Sequence, residues 1–180
     1  MKRNFSLIFA ILVVISLFCF TSCKKEEVTV NFKINYETEF TVPSGSVINL
    51  PFNLFSPDIT TNSQAEFEAN DTRKDKIQEI KLASLKLAIT SPQGQNFDFL
   101  KHIYLYIKAE GVPEQRYAFI ENIADGQTEL NLIAENVDLA AFIKQDKFSL
   151  RAETVQDKSL NQNADIKANM VFAVKANPLK

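Results

Sequence analysis

Few side chains in this sequence could carry chemistry, and they are scattered. There is one histidine, His102, and there are two cysteines, Cys19 and Cys23. A serine or cysteine nucleophile normally needs a histidine as its base, so any such dyad here would have to recruit His102. A zinc site built from several histidines of one chain is excluded on the same count. Glu37 and Glu39 stand two apart. On an extended strand that puts both carboxylates on one face, roughly 7 Å apart, not far from the spacing used by glycosidases. Their setting argues against catalysis, because acids alternating with apolar residues decorate the wet face of a strand and discourage edge pairing. The chain has no tryptophan and 4 glycines, a poor stock of aromatic platforms and shaped loops for cleaving sugars. Asp71-Thr72-Arg73-Lys74-Asp75 lacks the alternating ligands and the glycine of a calcium loop, and reads as an exposed charged loop. No catalytic residue, metal ligand or cofactor is assigned.

A second group suits binding better than catalysis. His102, Tyr104, Tyr106 and Lys108 alternate with Ile103, Leu105, Ile107 and Ala109. Alternation places the first four on one face of a strand whose other face is apolar. Tyrosine has a flat apolar body and a polar tip, which favours recognition surfaces. These four residues form a candidate binding face for a protein, peptide or glycan. The competing reading packs Tyr104 and Tyr106 under the 58–76 segment or into cross-strand pairs.

The N-terminus points to a location. Lys2 and Arg3 precede an apolar run from Phe5 to Phe20, and Thr21-Ser22 lead into Cys23. The run is short for a membrane-spanning helix, and its positive start and small-residue end are those of a signal peptide. With its cysteine, the segment resembles the type II signal peptide of bacterial lipoproteins, although Phe20 stands where leucine is usual. That resemblance implies cleavage before Cys23, lipidation of its sulfur and acylation of its new amine. Two or more acyl chains would anchor the protein stably to a membrane, at ~0.8 kcal/mol per buried methylene. Lys24-Lys25-Glu26-Glu27 is similar to the basic-then-acidic signal that some Gram-negative groups use for surface lipoproteins. The expected location is therefore the outer membrane, with surface display as its outward form. The expected divisions are a signal at 1–22, a lipidated cysteine with a short charged tether at 23–27, and one domain at 28–180.

Removing residues 1–22 takes away two basic residues and no acids, so 20 basic and 22 acidic side chains become 18 and 22, a net charge of −4. That gives no footprint for nucleic acid, which needs a concentrated basic face. Cys19 leaves with the signal and Cys23 is given to lipid, so no disulfide is expected. A domain of this size can bury a sufficient core without one.

The elements that must position the candidate face are strands. From Val28 to Val42 apolar and polar residues alternate, with the single exception of Thr38 on the apolar side. The polar side argues for an antiparallel sheet. Pro43-Ser44-Gly45-Ser46 is a turn. Val47 to Phe55 resumes, with Ile48, Leu50, Phe52 and Leu54 on one face and Pro51 marking an edge or bulge. Residues 58–76 read as an exposed loop from which Phe67 plugs the core. Ile80 and Leu82 set one phase of the next strand and Leu85, Leu87 and Ile89 the other, a slip that predicts a β-bulge or a bend between sheets. Asn96–Leu100 reads as a helical turn. Gln115 to Ile123 is predicted to carry Tyr117 and Phe119 on one face against Arg116, Ala118 and Ile120. Asp138–Lys144 is the best helix, capped by Asp138 and burying Leu139, Phe142 and Ile143. Ile166 to Ala176 closes the chain with another alternating strand.

Seven to nine strands with one short helix predict an all-β fold. The expected form is a two-sheet antiparallel sandwich with Greek-key-like connections and one crossover helix. A closed barrel is the alternative. The whole resembles anchored sandwich lipoproteins of the bacterial envelope and, more loosely, immunoglobulin-like modules. The expected function is non-enzymatic binding or accessory work in the cell envelope. Lipid handling between the sheets and a structural role in an envelope complex are the alternatives.

Overall fold

A computed structural model describes residues 28–179. The signal segment, Cys23 and the charged tether lie outside those residues. The strands are β1 (Val30–Val42), β2 (Pro51–Phe55), β3 (Ile59–Thr60), β4 (Ile77–Ser91) and β5 (Leu100–Ala109), followed by β6 (Val112–Glu121), β7 (Glu129–Asn131), β8 (Ile133–Ala134), β9 (Lys147–Gln156) and β10 (Ala164–Ala176). Helix α1 (Ser63–Ala69) lies between β3 and β4, and α2 (Ala140–Ile143) between β8 and β9.

These strands form two antiparallel sheets. One is four-stranded in the order β1-β10-β4-β7; the other is six-stranded, with β2-β9-β5-β6-β8 in line and β3 also on β9. The last two strands enter the middle of the sheets, β9 beside β5 and β10 between β1 and β4. Most successive strands change sheet, which is the Greek-key-like winding of a sandwich. The tight exception is the β5–β6 hairpin, where Gly111 takes a positive φ of 70° between Ala109 and its partner Val112. Glycine takes that conformation without the penalty that a Cβ brings.

The alternation seen in sequence becomes the core. Along β10, Ala164, Ile166, Ala168, Met170, Phe172, Val174 and Ala176 are all buried, and in the same sheet Phe172, Met170, Ile166 and Ala164 pair with Ile34, Tyr36, Phe40 and Val42 of β1. Tyr36, Phe148 and Phe172 pack edge to face with centroids 5.3 to 6.4 Å apart, tying the two sheets together. The slip in β4 is a bulge. Phe172 pairs with Leu82 and Val171 with Ser84, so Ala83 is the extra residue. The strand does not leave its sheet there. The bulge restores the inward phase, so Leu85 and Leu87 are buried like Ile80 and Leu82.

Four sequence expectations need correction. The 58–76 segment is not a bare loop, because Ser63–Ala69 is helical and Phe67 is fully buried from within it, edge to face with Phe32 at 6.3 Å. Val47–Leu50 does not continue a strand. Asn49 takes a positive φ of 63° and donates its backbone N–H to the Gln156 carbonyl at 2.8 Å, which turns the chain from one sheet to the other and leaves Leu50 56% exposed. In β6, Tyr117 and Phe119 do not share a face. Leu105 pairs with Ala118 and Tyr106 with Arg116, so Tyr117 is a bulge residue. Tyr117 and Ala118 are both buried, and Phe119 opposes Tyr104 on the outer face. The crossover helix is shorter than expected, with Leu139 at its N-cap and Asp138 one residue before it. Asp138 Oδ1 accepts from the N–H of Ala140 and of Ile80, both at 3.0 Å, so it fastens the crossover to β4.

Candidate functional site

The outer face of the six-stranded sheet carries the residues singled out by sequence. The register builds it in rows. Tyr104 stands between Phe119 of β6 and Glu153 of β9, and Glu153 pairs with Asn53 of β2. In the next row Tyr106 stands between Arg116 and Arg151, and Arg151 pairs with Phe55. His102 pairs with Glu121 at one end of β5, and Lys108 with Ser149 at the other.

Arg151 is the hub. Its side chain is only 18% exposed. Nε donates to both carboxylate oxygens of Glu114 at 3.0 and 3.2 Å, and Nη2 donates to Glu114 Oε2 at 2.7 Å. Nη1 donates to Asn53 Oδ1 at 2.6 Å and to Glu153 Oε2 at 3.1 Å. The guanidinium carbon lies 3.9 Å from the Tyr106 ring centroid. One side chain thus joins β2, β9, β5 and β6, using the planar fork and the aromatic stacking that lysine lacks. Arg116 repeats the arrangement on β6, across β5 from Arg151. It lies 5.3 Å from the Tyr104 ring and 5.6 Å from that of Phe119, and its Nε donates to Glu135.

Electrostatics follow from these bonds. The Arg151 fork holds Glu114 below the usual carboxylate range, and Glu114 in turn holds Arg151 above the usual range for arginine. Tyr104 donates its hydroxyl to Glu121 Oε1 at 2.7 Å, and this bond to a carboxylate raises the phenol's pKa. Arg151 and Arg116 each meet a carboxylate, so the centre of the face is polar rather than strongly charged.

The four predicted residues do not make one cluster. The His102 and Tyr104 rings are tilted together at 4.7 Å, and Tyr106 follows under Arg151. Lys108 sits beyond them, lining an open cleft of about 500 Å³ with Asp58, Glu110, Lys147, Phe148 and Ser149. Cross-strand packing was the competing reading for the tyrosines, and it describes their rings, each of which meets a guanidinium from a neighbouring strand while staying half-buried. The large apolar side chains left exposed on this face are on its flanks. Phe55 of β2 is 69% exposed and Ile133 of β8 is 57% exposed.

Arg116, Arg151, Glu114, Asn53, Phe55 and Phe119 belong to this face, and sequence reasoning missed them as members. They come from three other strands, and their meeting depends on strand order. The bulge at Tyr117 that sets the phase on β6 leaves no local signal, since Tyr117, Ala118, Phe119 and Ile120 are all apolar. Glu37 and Glu39 lie on the opposite side of the sandwich, in β1. Glu37 there meets Lys167 at 2.7 Å, an ordinary surface ion pair. Between the sheets, a cavity lined by Phe40, Leu54, Leu87, Leu105 and Ile166 amounts to about 10 Å³. That is room for about one water, whereas small-molecule pockets run to several hundred Å³.

No protein-family model matches the sequence, and no curated protein matches it. Among solved structures, the chain is similar to the 60-mer BFDV capsid protein, at 9% identity and a TM-score of 0.44, covering 85% of this chain and 95% of that one. It is also similar to Desmodium yellow mottle tymovirus at 9% identity and a TM-score of 0.29, covering 84% and 91%. Turnip yellow mosaic virus matches at 12% identity and a TM-score of 0.27, covering 84% and 96%. At these scores the likenesses carry no argument about this chain.

Proposed function

We propose that this chain is a lipid-anchored protein of the bacterial outer membrane, non-enzymatic, that binds a protein partner through the outer face of its six-stranded sheet. The observation that carries the reading is the Arg151–Tyr106 and Arg116–Tyr104 lattice with exposed Phe55 and Ile133 beside it. Arginine and tyrosine dominate the energetic centres of protein interfaces. A lattice already cross-linked over four strands loses little side-chain freedom on binding, which lowers the entropic cost of association. A protein partner is favoured over a glycan because a guanidinium already lies against each of the Tyr104 and Tyr106 rings, where a sugar would have to stack. The small inter-sheet cavity gives no support to lipid handling. The anchor rests on the resemblance of the N-terminus to lipoprotein signals, with Cys23 as the modified residue.

Photo-crosslinking tests the reading. A photoreactive residue placed at Phe55 or Ile133 of the full chain, in the producing cells, is expected to give one discrete protein adduct. The same residue at Glu129, on the other sheet, gives none. The adduct is expected to fade when Tyr104 and Tyr106 are both replaced by serine. Equal labelling from Glu129, or an adduct indifferent to the double replacement, contradicts the proposal.

A further inference from the structure

Among the described residues, the sandwich has one edge unlike its others. The six-stranded sheet ends on five-residue β2 and two-residue β8, and the four-stranded sheet ends on three-residue β7. Short strands are one way in which proteins keep edges from pairing. At its other end the four-stranded sheet finishes on β1, which runs for 13 residues, contains no proline and pairs with β10 without a register shift. A regular edge of this length is a template for another strand. What guards it is charge on its outer face, from Lys33, Glu37 and Glu39.

The spacing of those charges selects a partner. Glu37 is held by Lys167. Among the described residues, Lys33 and Glu39 have no ion-pair partner. They lie on the same face at equal distances on either side of Tyr36. If a second copy of β1 pairs antiparallel, outer faces must match, so the two-fold axis passes through a residue position. Axes at Glu37, Thr38 or Glu39 oppose glutamate to glutamate. An axis at Asn35 uses Glu37, which is already held, and leaves Glu39 facing Asn31. An axis at Tyr36 sets Lys33 against the partner's Glu39, Glu39 against the partner's Lys33, and Asn35 against the partner's Glu37. Both unpaired charges are then satisfied at once, and cross-strand pairs of opposite charge support a sheet.

We infer that β1 is a self-association edge, and that two copies of this chain join their four-stranded sheets through antiparallel β1 strands with the axis at Tyr36. The same charges repel when the axis lies at Glu37, Thr38 or Glu39 and favour the axis at Tyr36. The inference is independent of the partner face on the six-stranded sheet.

Zero-length carbodiimide crosslinking of the full chain, in cells and after purification, tests it. Along one strand Lys33 and Glu39 are about 20 Å apart, so an isopeptide between them must join two copies. The expected result is a dimer band whose digest contains the Lys33–Glu39 link. Lys33→Glu and Glu39→Lys are each expected to weaken association about tenfold, since two attractive pairs become two repulsive ones. The double exchange, Lys33→Glu with Glu39→Lys, restores it. A monomer at every concentration overturns the inference, as does a dimer without this link, a foreign peptide joined to Lys33 or Glu39, or a double exchange that folds normally and stays monomeric.

Discussion

Replacing Arg151 by methionine probes the lattice most sharply. Methionine keeps an apolar stem of similar reach and deletes the charged fork. The variant loses the bidentate grip on Glu114, the bonds to Asn53 and Glu153, and the contact 3.9 Å from the Tyr106 ring. A cation over an aromatic face is worth ~0.5–2 kcal/mol, and hydrogen bonds to charged groups ~1.5–3 kcal/mol. Glu114 and Glu153 are about a third exposed, at 33% and 37%, so water recovers much of the bonding contribution. A net loss of about 2 kcal/mol is expected, or a fall in Tm of roughly 4–8 °C for a domain of this size. Urea unfolding read by circular dichroism gives the number. The pH dependence supplies a second reading. Glu114 has a folded pKa below its ordinary 4.5, so its contribution is complete above that value and is lost as pH falls through the lower folded value. The wild-type chain should therefore lose more stability than Arg151→Met between about pH 5 and pH 3. If the variant unfolds within about 0.5 kcal/mol of wild type, the size expected of a neutral surface change, the fork does not hold the strands and the face is not pre-organised.

The two buried tyrosines should behave oppositely. Tyr36 donates to the Thr61 carbonyl at 2.5 Å, so Tyr36→Phe leaves a buried acceptor unpaired and should cost ~1–3 kcal/mol, whereas the Tyr117 hydroxyl meets only Met170 Sδ at 3.5 Å and Tyr117→Phe should be near neutral; thermal melts separate the two. Burial raises the pKa of both phenols above their ordinary 10.0, so these groups add stability up to about pH 10 and lose it as pH rises further, which phenolate absorbance during alkaline unfolding will show. Phe67→Ala empties a fully buried site between α1 and β1 and should cost ~3–5 kcal/mol by chemical unfolding. Cys23→Ala should leave the precursor unprocessed and deprive it of labelled palmitate; normal processing and membrane retention would sink the lipoprotein reading.

Much of the fold is written in period two. β1 and β10 alternate almost without error because each buries one face against the other sheet. The slip in β4 is visible because leucine and isoleucine mark both phases around Ala83. The slip in β6 is hidden, since Tyr117, Ala118, Phe119 and Ile120 are apolar in either phase and only pairing with β5 decides which face each takes. Helix α1 escapes notice because it is two turns long and bounded by Thr60, Thr61, Asn62 and Asn70, all turn-formers. Ile48, Leu50, Phe52 and Leu54 alternate like one strand, yet Asn49 bends the chain among them. For the candidate face, Tyr104 and Tyr106 are legible because they share one strand. Arg151, Glu114 and Asn53 are not, because β9 joins β5 and β2 only through long-range pairing.

Occupancy of the outer face of the six-stranded sheet can be measured directly. The sequence has 4 tyrosines, Tyr36, Tyr104, Tyr106 and Tyr117, and two of them are buried in the core. Mild iodination followed by mass spectrometry therefore reports on Tyr104 and Tyr106. The account predicts that both are modified in the purified protein and shielded on intact cells, where the partner covers them. Equal modification in the two settings would contradict it.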